Sequence, residues 1–284
     1  GFAITARQDL EAAPPAERAL IEAYARGVNR GLRSLPALPP EYEVFGGAPP
    51  PWQPEDTLLV GRLILFGFAS NWDTELLRER LIRALGPERA ASIEPVHPQG
   101  ASTTTGRPQV PAADRLLDAY RAAVEAGLPS GASNAWAVTG RHTTSHAPLL
   151  ASDPHLQPRL PGLLHVCHIS GDTMHAIGAD FPGVPGIAMG HNDRVAWGMT
   201  AGMADVSDCF VEEFDPAQPT RYRTPDGWAD ADARMEYIAV RDAEPVVERV
   251  LVTRHGPVIS PALPGEDRAI ALRSTARSEE HTSE

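Results

Sequence analysis

Apolar positions in the first third of the chain recur at helical spacing. Leu20, Tyr24, Val28 and Leu32 stand four residues apart within residues 14–33, the stripe of one amphipathic helix. A second helical run opens after Pro54, where proline suits the first turn and Glu55-Asp56 complement the helix dipole. It extends to Leu85 with a break expected near Ser70-Asn71-Trp72, and Gly86-Pro87 closes it. Residues 98–132 change character: Pro, Gly, Thr and Ser flank one short helical piece, Asp114 to Ala126, as in a linker. From Ser133 onward the pattern is that of strands, with Gly, Pro and Asn-Asp punctuation. Residues 135–139 and 149–152 form a hairpin in this reading. Short runs at 163–170, 174–178, 186–189, 195–200 and 209–214 follow, then a pair at 235–241 and 246–254. The expected organisation is a helical segment over 1–97, a linker over 98–132 and a strand-rich segment over 133–276, without solenoid repeats.

Composition narrows the function classes. With 284 residues and 42% hydrophobic content, the chain can bury a sizeable core. A net charge of −12 argues against nucleic acid as the main partner. All 25 basic residues are arginine, and 28 prolines accompany them, which reads as GC-rich coding sequence rather than as a function. Cys167 and Cys209 make no disulfide framework and read as buried free thiols. No stretch reaches the roughly 20 apolar residues of a membrane span.

The natural sequence is expected to be truncated at both ends, with a C-terminal tail that is either a genuine solvated segment or adapter-derived. The sequence opens at Gly1 without Met or signal peptide, so the natural start is expected upstream. Residues 277–284, Arg-Ser-Glu-Glu-His-Thr-Ser-Glu, can be back-translated into a string that resembles a common sequencing adapter. Natural sequence is then expected to stop near Ala276.

The candidate chemistry centres on Ser133. The run Leu128-Pro129-Ser130-Gly131-Ala132 leads into Ser133-Asn134-Ala135-Trp136, which reads as a hidden N-terminus or as an ordinary loop-to-strand junction. Cleavage of the Ala132–Ser133 bond would give one residue both a hydroxyl nucleophile and an α-amine of pKa ~8 to activate it.

Further motifs appear in order: Asp153-Pro154-His155-Leu156, Gly190-His191-Asn192, Trp197-Gly198-Met199-Thr200-Ala201-Gly202 and Asp205-Val206-Ser207-Asp208. Upstream stand Trp52-Gln53-Pro54-Glu55-Asp56 and Asn71-Trp72 with Glu75. Together with Ser133-Asn134-Ala135-Trp136 they resemble the penicillin acylase family of N-terminal-nucleophile hydrolases, over nearly all of residues 1–276. The resemblance implies an α+β fold, the four-layer αββα sandwich with α-chain helices packed around it. It also implies a self-processing precursor whose 98–132 segment is removed, leaving a heterodimer of the α chain and the Ser133 chain. The implied activity is hydrolysis of a linear N-acyl amide: penicillin or cephalosporin type, N-acyl-homoserine lactone or acylated peptide.

The same resemblance assigns residues. Ser133 is the nucleophile, and the backbone N–H of Ala201 is one oxyanion donor. The second donor is an asparagine side chain beyond residue 284, which Asn192 does not replace. This chain by itself is therefore expected to be inactive, since one lost donor costs on the order of 10²–10³ in rate. His155 either orients the nucleophile or is a strand-end histidine capping carbonyls. Glu75, Asp205, the Ser207 carbonyl and Asp208 resemble a structural calcium site, against the alternative of an exposed acidic turn. Leu156, Gln157 and Met203 are candidate pocket walls. No organic cofactor is expected, and family habit points to the periplasm or secretion.

Two rivals stand beside this reading. One is a noncatalytic, secreted calcium-binding remnant of the same fold. The other is a metallohydrolase built on His165, His168 and His175 near Cys167, where His165 and Cys167 would share one strand face and His168 the other. No complete tetrahedral set is visible in that spacing.

Overall fold

The computed structural model describes residues 1–69, 71–93, 132–156, 158–172, 174–202, 205–263 and 265–276. The short helix expected at Asp114 to Ala126, all of the expected linker save Ala132, and the 277–284 tail lie outside them. The helices are α1 (Phe2–Ala12), α2 (Pro15–Ser34), α3 (Pro40–Phe45), α4 (Pro54–Ala69), α5 (Trp72–Leu85) and α6 (Pro87–Ile93). The early strands are β1 (Ala132–Val138), β2 (Leu149–His155), β3 (His165–Ser170), β4 (His175–Asp180), β5 (Met189–Asn192) and β6 (Ala196–Trp197). The later ones are β7 (Ser207–Glu212), β8 (Phe214–Asp215), β9 (Gln218–Thr224), β10 (Gly227–Asp230), β11 (Asp232–Ile238), β12 (Val246–Thr253), β13 (Gly256–Pro257) and β14 (Ala269–Ser274). The class is α+β, with every named strand pair antiparallel.

Two compact units result, residues 1–68 with 127–203 and residues 69–126 with 204–284. Each combines helices from the first part of the sequence with strands from the second.

In the first unit, α2 turns Tyr24, Ala25, Val28 and Leu32 inward, whereas Leu20 is 67% exposed. The helical stripe is real but centred one position away from Leu20. Gln53 begins α4: its N–H donates to Asp56 Oδ2 at 2.7 Å with Pro54 in the first turn, half of a capping box. Asn29 locks this start to α2, donating to the Trp52 carbonyl at 2.8 Å and accepting from the Trp52 N–H at 2.9 Å. The turn after β4 seats on both helices, because the Gly183 N–H donates to Tyr24 Oη at 3.0 Å and Phe181 meets Phe68 with ring centroids 6.1 Å apart. Gly183 has φ +98, and a Cβ there would lie 3.0 Å from Val60 Cγ1, so glycine answers both the backbone angle and the space. The strands form a β1-β2 hairpin and a β3-β4-β5-β6 meander.

In the second unit, β14 pairs with β7, and Ile270, Ala271 and Leu272 are its buried centre. The sheets β10-β9-β8 and β11-β12-β13 complete it. Strand β14 escapes the sequence pattern because it is covered on both faces and shows no alternation. Helix α6 is likewise unforeseen: Gly86, with φ +81, ends α5, and Pro87 starts a new helix at once. The expected break between α4 and α5 falls at Asn71, which stands at the N-cap position of α5. Both cysteines are free and half-buried.

Candidate active site

Strand β1 runs opposite β2 with Ala132 facing His155, Ser133 facing Pro154, Asn134 facing Asp153 and Ala135 facing Ser152. Directly opposed residues share a face, and neighbours along a strand do not. Ser133, Ala135, Ser152 and Pro154 therefore line one face; Asn134, Asp153 and His155 line the other. Along β2 and the residue after it burial follows this division, with Ser152, Pro154 and Leu156 half-covered and Asp153 and His155 exposed; on β1 Ser133 is half-covered and Ala135 exposed.

The first face is covered by the β5–β6 hairpin. Gly198 lies so close to Ser152 that a Cβ on it would stand 2.7 Å from Ser152 Cβ and 2.8 Å from Oγ. Ser152 Oγ also reaches Met189 Sδ at 3.5 Å. Trp197 anchors the end of β6, its indole N–H donating to the Ile187 carbonyl at 3.0 Å. The chain that continues to Ala201 thus leaves from the side of the hairpin on which Ser133 stands. Asn192 is consumed by the β5–β6 turn, its Oδ1 accepting from the N–H groups of Arg194 and Val195, both at 2.8 Å.

His155 lies at the end of β2, directly opposite Ala132. Its Nε2 is 2.8 Å from Asp153 Oδ2 and 3.5 Å from Asn134 Nδ2, on the face away from Ser133. The strand period separates the two side chains although they are neighbours at the open end of the hairpin. The Leu156 N–H bends back to the Pro154 carbonyl at 3.0 Å. Gln157 and Met203 lie outside the described residues.

In the second unit, Glu75, Asp205 and Asp208 place carboxylate oxygens within 4.8 Å of one another. Glu75 Oε2 accepts the Cys209 N–H at 2.9 Å, tying α5 to β7. Asn71 Nδ2 donates to Asp205 Oδ1 at 2.9 Å, while its buried Oδ1 finds no hydrogen-bond partner among the described residues. Desolvation first, then the Asp208 and Asp205 charges, raise the Glu75 pKa against the Cys209 N–H and Arg78. Burial and the charges of Glu75, Asp208 and Asp73 push the Cys209 thiol up to about 12. Ser207 is buried with its Oγ 3.2 Å from Ser274 Oγ, so only its carbonyl is left as a candidate ligand. Three carboxylates gathered in this way are hard oxygen donors of the kind calcium takes, and the Ser207 carbonyl stands in the sequence between two of them. The residues fit such an ion.

A serine at the head of a hairpin, a glycine-allowed crossing above it and an oxygen-rich cluster between helix and strand accompany the sequence motifs. The chain belongs to the penicillin amidase family, whose model matches residues 1–284. It is 32% identical over 270 residues to an acyl-homoserine lactone acylase QuiP of Pseudomonas aeruginosa, covering 91% of this chain and 32% of that protein. It is also 32% identical over 292 residues to penicillin acylase 2 proenzyme of Pseudomonas sp. strain SE83, covering 96% of this chain and 37% of that protein. A solved thermostable penicillin G acylase from Alcaligenes faecalis is 26% identical, with a TM-score of 0.36, covering 40% of this chain and 20% of that one. The chain spans about a third of the length of these curated relatives.

Proposed function

We propose that the whole protein is a self-processing amidohydrolase that cleaves linear N-acyl amides through an acyl-Ser133 intermediate. The observation that carries this is the position of Ser133: it is paired at the open end of the β1–β2 hairpin, on the face that Gly198 approaches. Family membership supports the reaction class, and relatives named for penicillins and acyl-homoserine lactones frame the substrates.

In this reading Ser133 Oγ attacks the Ala132 carbonyl, the Ala132–Ser133 C–N bond breaks to free the Ser133 amine and leave an ester, and water hydrolyses that ester to release the Ala132 carboxylate and the Ser133 hydroxyl. Mature Ser133 then attacks the substrate amide, and its own α-amine takes the hydroxyl proton through a bridging water and returns it to the leaving amine. Water cleaves the acyl-enzyme to release the acid. The Ala201 N–H receives the developing oxyanion, joined by a donor from outside residues 1–284. His155, held by Asp153, acts on the hairpin end rather than by side-chain contact with Ser133.

Glu75, Asp205, Asp208 and the Ser207 carbonyl would hold calcium, which supplies charge neutralisation and ties α5 to the start of β7. The released α chain stays as the partner of the Ser133 chain, in the periplasm or outside the cell. Among the described residues no helix is long and apolar enough to cross a membrane.

The test is intact mass of the full gene product. Two chains, the second starting at Ser133, are expected from the wild type and one chain from Ser133→Ala. A folded wild type that stays whole would overturn the proposal in favour of a noncatalytic protein.

A further inference from the structure

We propose that His165, Cys167 and Asp180 form a binding site for a zinc-class divalent cation on one face of the β3–β4 hairpin, separate from the oxygen cluster around Glu75. The sequence put His165 and Cys167 on one strand face but offered no third donor. Pairing supplies it: Asp180, the last residue of β4, stands directly opposite His165. His165 Nδ1 is 3.1 Å from Asp180 Oδ1, Cys167 Sγ is 3.7 Å from Asp180 Oδ2, and one donor atom from each residue falls within a 4.8 Å cluster.

These spacings suit a small tetrahedral ion. With Zn–N and Zn–O near 2.0–2.1 Å and Zn–S near 2.3 Å, the edges of a zinc tetrahedron are about 3.3–3.6 Å. The donor set also sets the metal class, because imidazole nitrogen and thiolate sulfur favour zinc or cobalt over calcium or magnesium. Access exists, since the His165 side chain is 63% exposed while Asp180 is 21% exposed and fixed between its two partners. Solvent then completes the fourth position. Beside Cys167, its cross-strand partner Gly178 carries no side chain, and the backbone of Met189 and Gly190 closes on the position a Cβ would take, with Ile187 Cγ2 2.7 Å from it.

Without metal, the ring N–H and the thiol S–H can both point at the carboxylate, so two protons occupy the place of the cation. Burial and the Asp180 charge raise the Cys167 pKa, which keeps it a thiol rather than a nucleophilic thiolate. On binding, the S–H bond breaks and an S–metal bond forms, with the proton released to solvent. The imidazole proton moves to Nε2, leaving the Nδ1 lone pair for the ion, and no electrons are transferred.

The experiment titrates the full chain with Co²⁺ in the presence of saturating Ca²⁺, which occupies the Glu75 cluster. A thiolate-to-cobalt charge-transfer band at one equivalent is expected in the wild type and in Cys209→Ser, and none in Cys167→Ser. His165→Gln and Asp180→Asn are expected to weaken cobalt binding on the order of 100-fold, the upper end of what even an outer-shell partner costs. No band in the folded wild type with cobalt in excess, or a band that disappears with Cys209 instead, would overturn the site. If Cys167→Ser does not fold by circular dichroism, unchanged affinity in both His165→Gln and Asp180→Asn overturns it equally.

Discussion

Gly198 and Ser152 approach so closely that the two segments leave no room for a methyl group: a Cβ on Gly198 would sit 2.7 Å from Ser152 Cβ. The contact sets the β6 end over the hairpin face that carries Ser133. Gly198→Ala is expected to destabilise the protein by about 1–3 kcal/mol through overpacking and to slow processing at Ala132–Ser133. Thermal melts and the fraction of cleaved chain report the two effects. Gly198→Ala with Ser152→Gly should recover part of both.

Removing the Ser133 hydroxyl separates chemistry from folding. Ser133→Ala is expected to leave the melting temperature of the unprocessed chain unchanged while abolishing processing and amide hydrolysis. Electrophoresis of the full gene product and a chromogenic N-acyl amide assay read both at once.

His155 projects away from Ser133 and is held by Asp153 at 2.8 Å. A side chain acting indirectly contributes less than a general base, whose contribution is typically 10²–10⁴-fold. His155→Gln in the mature full-length enzyme is therefore expected to retain kcat within about tenfold, below that range. A loss of 10³-fold or more would place the imidazole in direct contact with the reacting atoms.

The acidic cluster predicts a calcium-dependent melt. Calcium is expected to raise the melting temperature of the wild type, and Asp205→Ala to erase that increase. Without calcium, Glu75 has a raised folded-state pKa, so the folded state holds more protons above the ordinary value of 4.5 and stability falls as pH rises through that window. Glu75→Gln should flatten this slope. Differential scanning calorimetry across pH, with chelator and with calcium, distinguishes the two.

Glu266 behaves oppositely. Hydrogen bonds from Arg268, aided by Arg80, hold its carboxyl down at about 2, against an ordinary 4.5. Its contribution is complete above pH 4.5 and is lost as pH falls towards 2, because the unfolded chain takes up the proton first. Glu266→Gln is expected to lower stability at neutral pH on the order of 2 kcal/mol and to remove the acid-induced loss between those values. A pH series of urea melts measures both.

Local order supplied much of this molecule before any contact was known. The start of α4 was legible from Pro54 and Asp56, the break at Asn71 from its polarity, and the β1–β2 hairpin from two apolar runs around a polar turn. Each depends on residues within a few positions of one another. Strand β14 was not legible, because burial on both faces erases alternation, and neither was the displacement of the α2 stripe away from Leu20.

The sequence by itself determined the family, the candidate nucleophile and the order of the motifs, since these reside in residue identity and spacing. Only the tertiary structure decided which side chains meet. Strand register sent His155 to the face opposite Ser133 and brought Asp180 to His165 and Cys167. The packing of α5 on β7 gathered Glu75 with Asp205 and Asp208. A one-residue change of register would reverse every facing in a strand pair, and register is set by pairing between segments, which local patterns do not encode.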